Sequence, residues 1–166
     1  MEKFLIEGGV PLRGEVTPSG NKNAALPLLA ACILTDEPVI LRNIPRIQDV
    51  LIMKQLIESL GAQVDELDEK TWRITARDIR PASLDPDLCR RIRASILVAG
   101  PIAARVGALK LPPPGGDVIG RRRLDTHILS LRALGVDVTY DRGFTFQADG
   151  LRGANILMDE ASVTAT

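Results

Sequence analysis

The chain has 166 residues and a hydrophobic content of 45%, which is enough to bury the core of one domain. Its 21 basic and 21 acidic residues cancel, so no global charge favours nucleic acid or an anionic membrane, and an aromatic content of 3% leaves little for stacking on bases. Any site for an anion must therefore be local.

The first predicted repeat unit occupies residues 22–80 and begins with a buried helix that is rich in Ala and Leu. A short strand follows, and a second helix is amphipathic because its apolar residues recur at helical spacing. Gly61 ends this helix, and two strands that form a hairpin complete the unit. The predicted elements are a helix at 23–34, a strand at 38–42, a helix at 49–60 and strands at 63–67 and 71–76.

The second predicted unit occupies residues 81–158 and repeats this order. Its predicted elements are a helix at 93–106, a strand at 108–111, a helix at 124–134 and hairpin strands at 137–141 and 144–148. The segment LGAQV at 60–64 matches LGVDV at 134–138, which is the clearest internal evidence for a repeat.

Two short segments flank the repeats. Residues 1–21 precede them, and residues 159–166 are predicted as the start of a third unit in which Ser162 can cap a helix. Because a natural domain rarely ends at the N-terminus of a helix, we expect this chain to be a fragment or a truncated product.

The loop at residues 112–123 (PPPGGDVIGRRR) lies inside the second unit. Its prolines stiffen the entry, and its glycines let the backbone turn or approach a ligand closely. One acid, Asp117, comes shortly before three arginines. A carboxyl group beside fixed positive charge suits proton transfer next to a bound anion, so the loop indicates a substrate that bears phosphate or carboxylate.

The two cysteines and the single histidine indicate the cellular compartment and argue against a disulfide framework and a metal site. Cys32 lies in an apolar run and is predicted to be a buried thiol, whereas Cys89 precedes two arginines, which favours a lowered pKa. With no recognisable secretion signal or membrane span, this pattern predicts a cytoplasmic protein without a disulfide framework, a metal site or a cofactor.

Four segments together resemble the enolpyruvyl transferases, namely SGNKNAALP at 19–27, RASILVAGP at 93–101, PGGDVIGRRRLDTH at 114–127 and MDEASV at 158–163. Their order and spacing are those of the branch that uses UDP-N-acetylglucosamine. The resemblance implies an α/β (α+β) fold, an inside-out α/β barrel of helix-strand-helix-strand-strand units, with about two of the three units of one domain in this chain. It also implies an active site in a cleft between two domains, with residues 1–21 as opening strands that pack against the second domain.

The implied reaction transfers enolpyruvate from phosphoenolpyruvate to the 3′-hydroxyl of UDP-N-acetylglucosamine, the first committed step of peptidoglycan synthesis. The resemblance assigns Lys22, Asn23 and Arg122 to phosphoenolpyruvate. It assigns to UDP-N-acetylglucosamine the residues Arg93, Arg122, Leu124, Asp125, Thr126, Ser162 and Val163.

The residues alone leave other roles open for these side chains. Asn23 can instead cap its helix beside a solvated Lys22, and Arg93 can be an ordinary surface arginine. Asp125 can cap the helix at 124–134, and a structural role is the better prediction for His127.

The resemblance places Asp117 in the proton-donor position, where most members of the family carry a cysteine that fosfomycin alkylates and some carry aspartate. A carboxylic acid donates a proton at neutral pH only if its pKa is raised, and adjacent arginines lower it, so burial is needed to offset them. Because the chain offers no thiolate there, we predict that fosfomycin does not inhibit it.

Two functional hypotheses follow. In the first, the chain is the substrate-binding half of an enolpyruvyl transferase and is inactive alone, since half of the cleft is missing. In the second, it is a non-catalytic remnant or isolated domain that binds a nucleotide sugar or a partner chain. Self-association of the truncated domain is a further alternative, and the neutral charge disfavours nucleic-acid binding.

Overall fold

The computed structural model describes residues 3–9, 11–116 and 124–158. Residues 3–9 and 11–20 form neither helix nor strand, and Phe4, Leu5 and Leu12 are each more than nine-tenths exposed. A strand needs a neighbouring strand for its hydrogen bonds. The predicted packing of residues 1–21 against a second domain therefore stays a prediction.

The first unit forms as its sequence predicts. Asn21 caps the first helix, because its side-chain oxygen accepts from the backbone N–H of Ala24 at 3.1 Å. The helix ends in a tighter 3₁₀ turn at Cys32–Leu34. The elements are α1 (Lys22–Ala31), β1 (Val39–Leu41), α2 (Gln48–Ser59), β2 (Gln63–Asp68) and β3 (Thr71–Thr75).

The second unit begins with two short helical segments that the periodicity did not predict, a 3₁₀ turn at Pro81–Ser83 and the six-residue helix α3. Asp85 caps α3 and Pro86 opens it, a pairing that favours a helix start. The elements of this unit are α3 (Pro86–Arg91), α4 (Ala99–Arg105), β4 (Ala108–Leu111), α5 (Asp125–Ala133), β5 (Asp137–Tyr140) and β6 (Phe144–Gln147).

The single helix predicted at 93–106 is wrong in one respect. Arg93–Val98 is a 3₁₀ helix, and the α-helix starts only at Ala99. Pro101 fits this start, because it has no N–H to donate to a carbonyl four residues back and is accommodated best in the first turn of an α-helix, where it lies in α4.

The two units have the same topology, which confirms the predicted repeat. Each contains a three-stranded antiparallel sheet, with strand order β1-β3-β2 in the first and β4-β6-β5 in the second. The matching glycines Gly61 and Gly135 follow α2 and α5 and have φ of +103° and +98°, a conformation that ends a helix at low cost only for glycine.

One hydrophobic core joins the units and includes the fully buried side chains of Leu29, Trp72, Ile102 and Phe146. Arg105, at the end of α4, extends the junction across the surface of the first unit. Its guanidinium donates to the carbonyls of Ile33 at 2.9 Å, Thr35 at 3.2 Å and Arg77 at 3.1 Å, and to that of Ala76. In the part of the chain that the structure describes, every helix is too short or too polar to cross a membrane.

Candidate functional site

In the first unit, the starts of both helices and the β1–α2 connection meet at one place. Gly20 lies so close to the connection that a Cβ on it would stand 1.8 Å from the carbonyl oxygen of Asn43. Lys22 starts α1, and its Nζ lies 2.6 Å from Oδ2 of Asp49 in the first turn of α2. The predicted position of Lys22 and Asn23 at a helix N-terminus is thus confirmed.

The structure also excludes one of the two roles suggested for Asn23. The residue that caps α1 is Asn21, so the capping role suggested for Asn23 is wrong. The side chain of Asn23 is exposed at the end of the helix where unpaired N–H groups favour an anion.

The sequence reasoning missed Asp49, which pairs with Lys22. One signal was available, because the helix before the hairpin of each unit carries an acid in its first turn, Asp49 in α2 and Asp125 in α5. The Lys22–Asp49 pair is half-exposed, and exposed pairs stabilise a fold by only about 0–1 kcal/mol. An anionic ligand can therefore compete with Asp49 for the ammonium group.

In the second unit, those predicted nucleotide-sugar residues that the structure describes lie around the start of α5. Asp125 is the first residue of α5 and Leu124 precedes it, so Asp125 is not the cap of this helix. Thr126 is buried, and Arg93 lies near enough to His127 to act on its pKa. The structure thus brings Arg93 together with His127.

The loop at 112–123 reaches this cluster in its described part. A Cβ on Gly116 would stand 3.0 Å from the backbone nitrogen of Arg93. Four predicted site residues lie outside the described residues, namely Asp117, Arg122, Ser162 and Val163. Their roles stay predictions.

The pKa of His127 gives the fold a pH dependence that can be measured. Burial, and to a smaller degree the charge of Arg93, lower this pKa from 6.5 to about 4. Between these values the unfolded chain binds a proton that the folded chain does not, so the stabilisation is complete above pH 6.5 and is lost as the pH falls toward 4. We expect a loss of roughly 1–3 kcal/mol in the free energy of unfolding, measured by denaturant titration at pH 7.5 and 4.5.

Other carboxylates titrate in the same range, and a His127→Gln variant separates their effect. His127 is the only histidine of the chain, so the variant is expected to lose less stability than the wild type on acidification. Equal losses in the two proteins would contradict the assignment.

The two cysteines are both buried free thiols. Burial is the main cause that raises the pKa of each to about 11, and for Cys89 the carboxylate of Asp85 adds to it. The prediction of a lowered pKa for Cys89 was wrong, because the desolvation of a thiol inside the core outweighs the charge of Arg90.

Thiol chemistry should follow this burial. We expect neither cysteine to react with a disulfide reagent at pH 7.5 in the folded chain, and both to react in guanidinium chloride. Rapid reaction of one thiol in the native protein would show that its surroundings open.

Comparison with known proteins identifies relatives of this chain. Residues 6–166 match the family model described as EPSP synthase (3-phosphoshikimate 1-carboxyvinyltransferase). UDP-N-acetylglucosamine 1-carboxyvinyltransferase of Bradyrhizobium diazoefficiens is 55% identical over 164 residues, which are 99% of this chain and 38% of the relative. The enzyme of the same name from Treponema denticola is 51% identical over 100% of this chain and 39% of its own length. The chain thus spans about two-fifths of these curated relatives.

Solved structures share the fold. The enolpyruvyl transferase NikO from Streptomyces tendae superposes with a TM-score of 0.67 at 27% identity, over 87% of this chain and 32% of NikO. EPSP synthase from Acinetobacter baumannii gives a TM-score of 0.66 at 14% identity, over 92% and 36%. At that identity the second likeness concerns the fold alone.

Proposed function

This chain belongs to the EPSP synthase family, and on that premise we propose that it is the part of a UDP-N-acetylglucosamine 1-carboxyvinyltransferase that binds both substrates. The observation that carries the proposal is the identity of 55% and 51%, over nearly the whole chain, with two relatives of that name. EPSP synthase from A. baumannii shares only 14%. The acceptor is therefore a nucleotide sugar rather than 3-phosphoshikimate, in a cytoplasmic step of peptidoglycan synthesis.

The start of α1 supports a phosphate site. The first N–H groups of a helix and its dipole favour an anion, and Lys22 adds an ammonium group at the same place. Since Lys22 is held only by a half-exposed pair with Asp49, the phosphate of phosphoenolpyruvate can displace that carboxylate. Asn23 and Arg122 complete the proposed site for this substrate.

The proposed reaction is an addition followed by an elimination. The 3′-oxygen of the sugar bonds to C2 of phosphoenolpyruvate as a proton is added to the methylene carbon, and loss of a proton from that carbon and of phosphate then restores the double bond. Asp117 is the proposed proton donor, which suits the 10²–10⁴-fold typically gained from a positioned acid. By the family resemblance, the base that accepts the proton of the 3′-hydroxyl belongs to a second domain.

The remaining proposed residues hold the nucleotide sugar. Arg93 and Arg122 suit its diphosphate, because a guanidinium can bind phosphate oxygens through two parallel hydrogen bonds. The start of α5 and the segment after residue 158 provide the other contacts, proposed for Leu124, Asp125, Thr126, Ser162 and Val163.

A chimera tests this function, with the present chain in place of the 164 aligned residues of the B. diazoefficiens relative. We expect phosphate release from phosphoenolpyruvate with UDP-N-acetylglucosamine and none with 3-phosphoshikimate. Residues 1–166 alone are expected to release no phosphate, since the proposed base belongs to a second domain. Turnover with 3-phosphoshikimate, or by the 166 residues alone, would contradict the proposal.

A further inference from the structure

A cleft in the second unit lies apart from the proposed substrate residues. One wall is the 3₁₀ turn at Pro81–Ser83 with helix α3, and the other is β4 with the turn between β5 and β6. Its volume is about 570 Å³, within the range of roughly 300–1,000 Å³ that is usual for small-molecule pockets. None of the described residues assigned to phosphoenolpyruvate or UDP-N-acetylglucosamine lines this cleft.

The inner surface of the cleft is apolar and stiff. Leu84 and Leu111 are buried along it, and Phe144 is half-buried. Pro112 and Pro113 lie beside them. Because the ring of proline fixes its own backbone, these surfaces need little ordering when a ligand binds. Flat apolar surfaces next to a phenyl ring suit an aromatic group.

The rim of the cleft is basic. Arg90, Lys110 and Arg142 line it together with one acid, Asp141, in a chain whose positive and negative charges are equal in number. Lys110 and Arg142 form no ion pair with another described residue, and Arg90 forms only an exposed pair with Asp87. Exposed pairs are weak, so an anion at the rim meets cations that no carboxylate holds firmly.

Arg142 has a backbone conformation that arginine rarely adopts. Its φ is +54°, in the left-handed region that only glycine occupies at no steric cost. The turn lies tightly against the end of β4, since a Cβ on Gly143 would stand 2.9 Å from the carbonyl oxygen of Leu111. In the matching turn of the first unit, neither Glu69 nor Lys70 has a positive φ. Strain in one hairpin that its counterpart lacks points to a role for the side chain of Arg142.

We propose that this cleft binds a small aromatic anion, with the ring against the prolines and Phe144 and the carboxylate or phosphate group at Lys110 and Arg142. The apolar surface and the local excess of positive charge together favour an anion with an apolar body. The inference does not rest on the proposed function, because the cleft shares no described residue with the proposed substrate sites.

Titration of the isotope-labelled chain with phenyl phosphate, followed by NMR, tests the cleft. We expect saturable shifts of the amides of Lys110, Phe144 and Thr145. Inorganic phosphate lacks the ring and is expected to leave these three amides in place, whereas binding at the start of α1 is followed separately through Ala24. The absence of saturable shifts at the cleft up to about 10 mM phenyl phosphate would overturn the proposal.

Arg142→Gly separates binding from folding. This variant removes a cation and relieves the left-handed φ, so we expect about 10-fold weaker binding of phenyl phosphate with an unchanged or higher unfolding temperature. Lys110→Gln is expected to weaken binding to a similar degree. Lys70→Gln is the matched control, because Lys70 is an exposed lysine in the corresponding turn of the first unit, and it is expected to keep the wild-type affinity.

Three results would contradict this assignment. Wild-type affinity in both Arg142→Gly and Lys110→Gln, or an equal loss in Lys70→Gln, would show that the rim does not hold the anion. A lower unfolding temperature with unchanged affinity in Arg142→Gly would assign the strained arginine to the fold. Amide shifts at the cleft that grow with protein concentration in the absence of any probe would assign the cleft to a second copy of the chain.

Discussion

Asparagine in place of Asp117 is expected to lower the kcat of the chimera by about 10²–10⁴-fold, because a carboxamide does not supply the proton that the methylene carbon requires. Binding is expected to persist, so the KM for UDP-N-acetylglucosamine should change little. The measurement is the rate of phosphate release at saturating concentrations of both substrates.

Two further proteins make this result specific. Asp149→Asn changes an exposed acid that follows β6, and this variant is expected to leave kcat unaltered. Asp117→Cys is expected to retain turnover and to gain the mass of fosfomycin on incubation with the drug, whereas the wild type gains none. Full activity of Asp117→Asn, or labelling of the wild type at 117, would show that another residue donates the proton.

The second large effect concerns stability. Replacing Arg105 by Met removes the donors from four carbonyls of the first unit while it keeps a long apolar stem. Hydrogen bonds to charged groups contribute about 1.5–3 kcal/mol each, and water replaces some of them at this partly buried site. We expect the free energy of unfolding to fall by about 2–4 kcal/mol, measured by urea denaturation at pH 7.5.

Arg80→Met is the control for this loss. The side chain of Arg80 is exposed, and its backbone N–H donates to the carbonyl of Leu60, the one hydrogen bond of Arg80 among the described residues. A change of less than about 0.5 kcal/mol is expected. Equal losses of unfolding free energy in the two variants would mean that water satisfies the four carbonyls as well as Arg105 does.

The repeat could be predicted from sequence because its signals are local. The hairpins and the glycines after each second helix lie within a few residues of the elements that they delimit, and the strand at 108–111 was predicted with its observed ends. Helix α3 was missed because six residues are too few to show a period. The 3₁₀ helix at Arg93–Val98 was missed because apolar spacing alone does not separate it from an α-helix.

The site could be predicted only in part for a related reason. A helix N-terminus at Lys22 follows from local pattern, whereas its pairing with Asp49, 27 residues away, depends on how two helices pack. The pKa of Cys89 was mispredicted from its neighbours in sequence, since the fold decides whether burial or an adjacent arginine has the larger effect.

Arg105 also has a consequence for the order of events during synthesis. Ala76 and Arg77 are synthesised 29 and 28 residues before Arg105, whose guanidinium donates to their carbonyls. At about 5–20 residues per second, the first unit waits roughly 1–6 s for this partner. The hydrogen bonds at the end of β3 therefore form only after α4 of the next unit has been synthesised. A translational pause shortly before codon 105 would lengthen the period in which the carbonyls at this end of β3 stay exposed and accessible to chaperones.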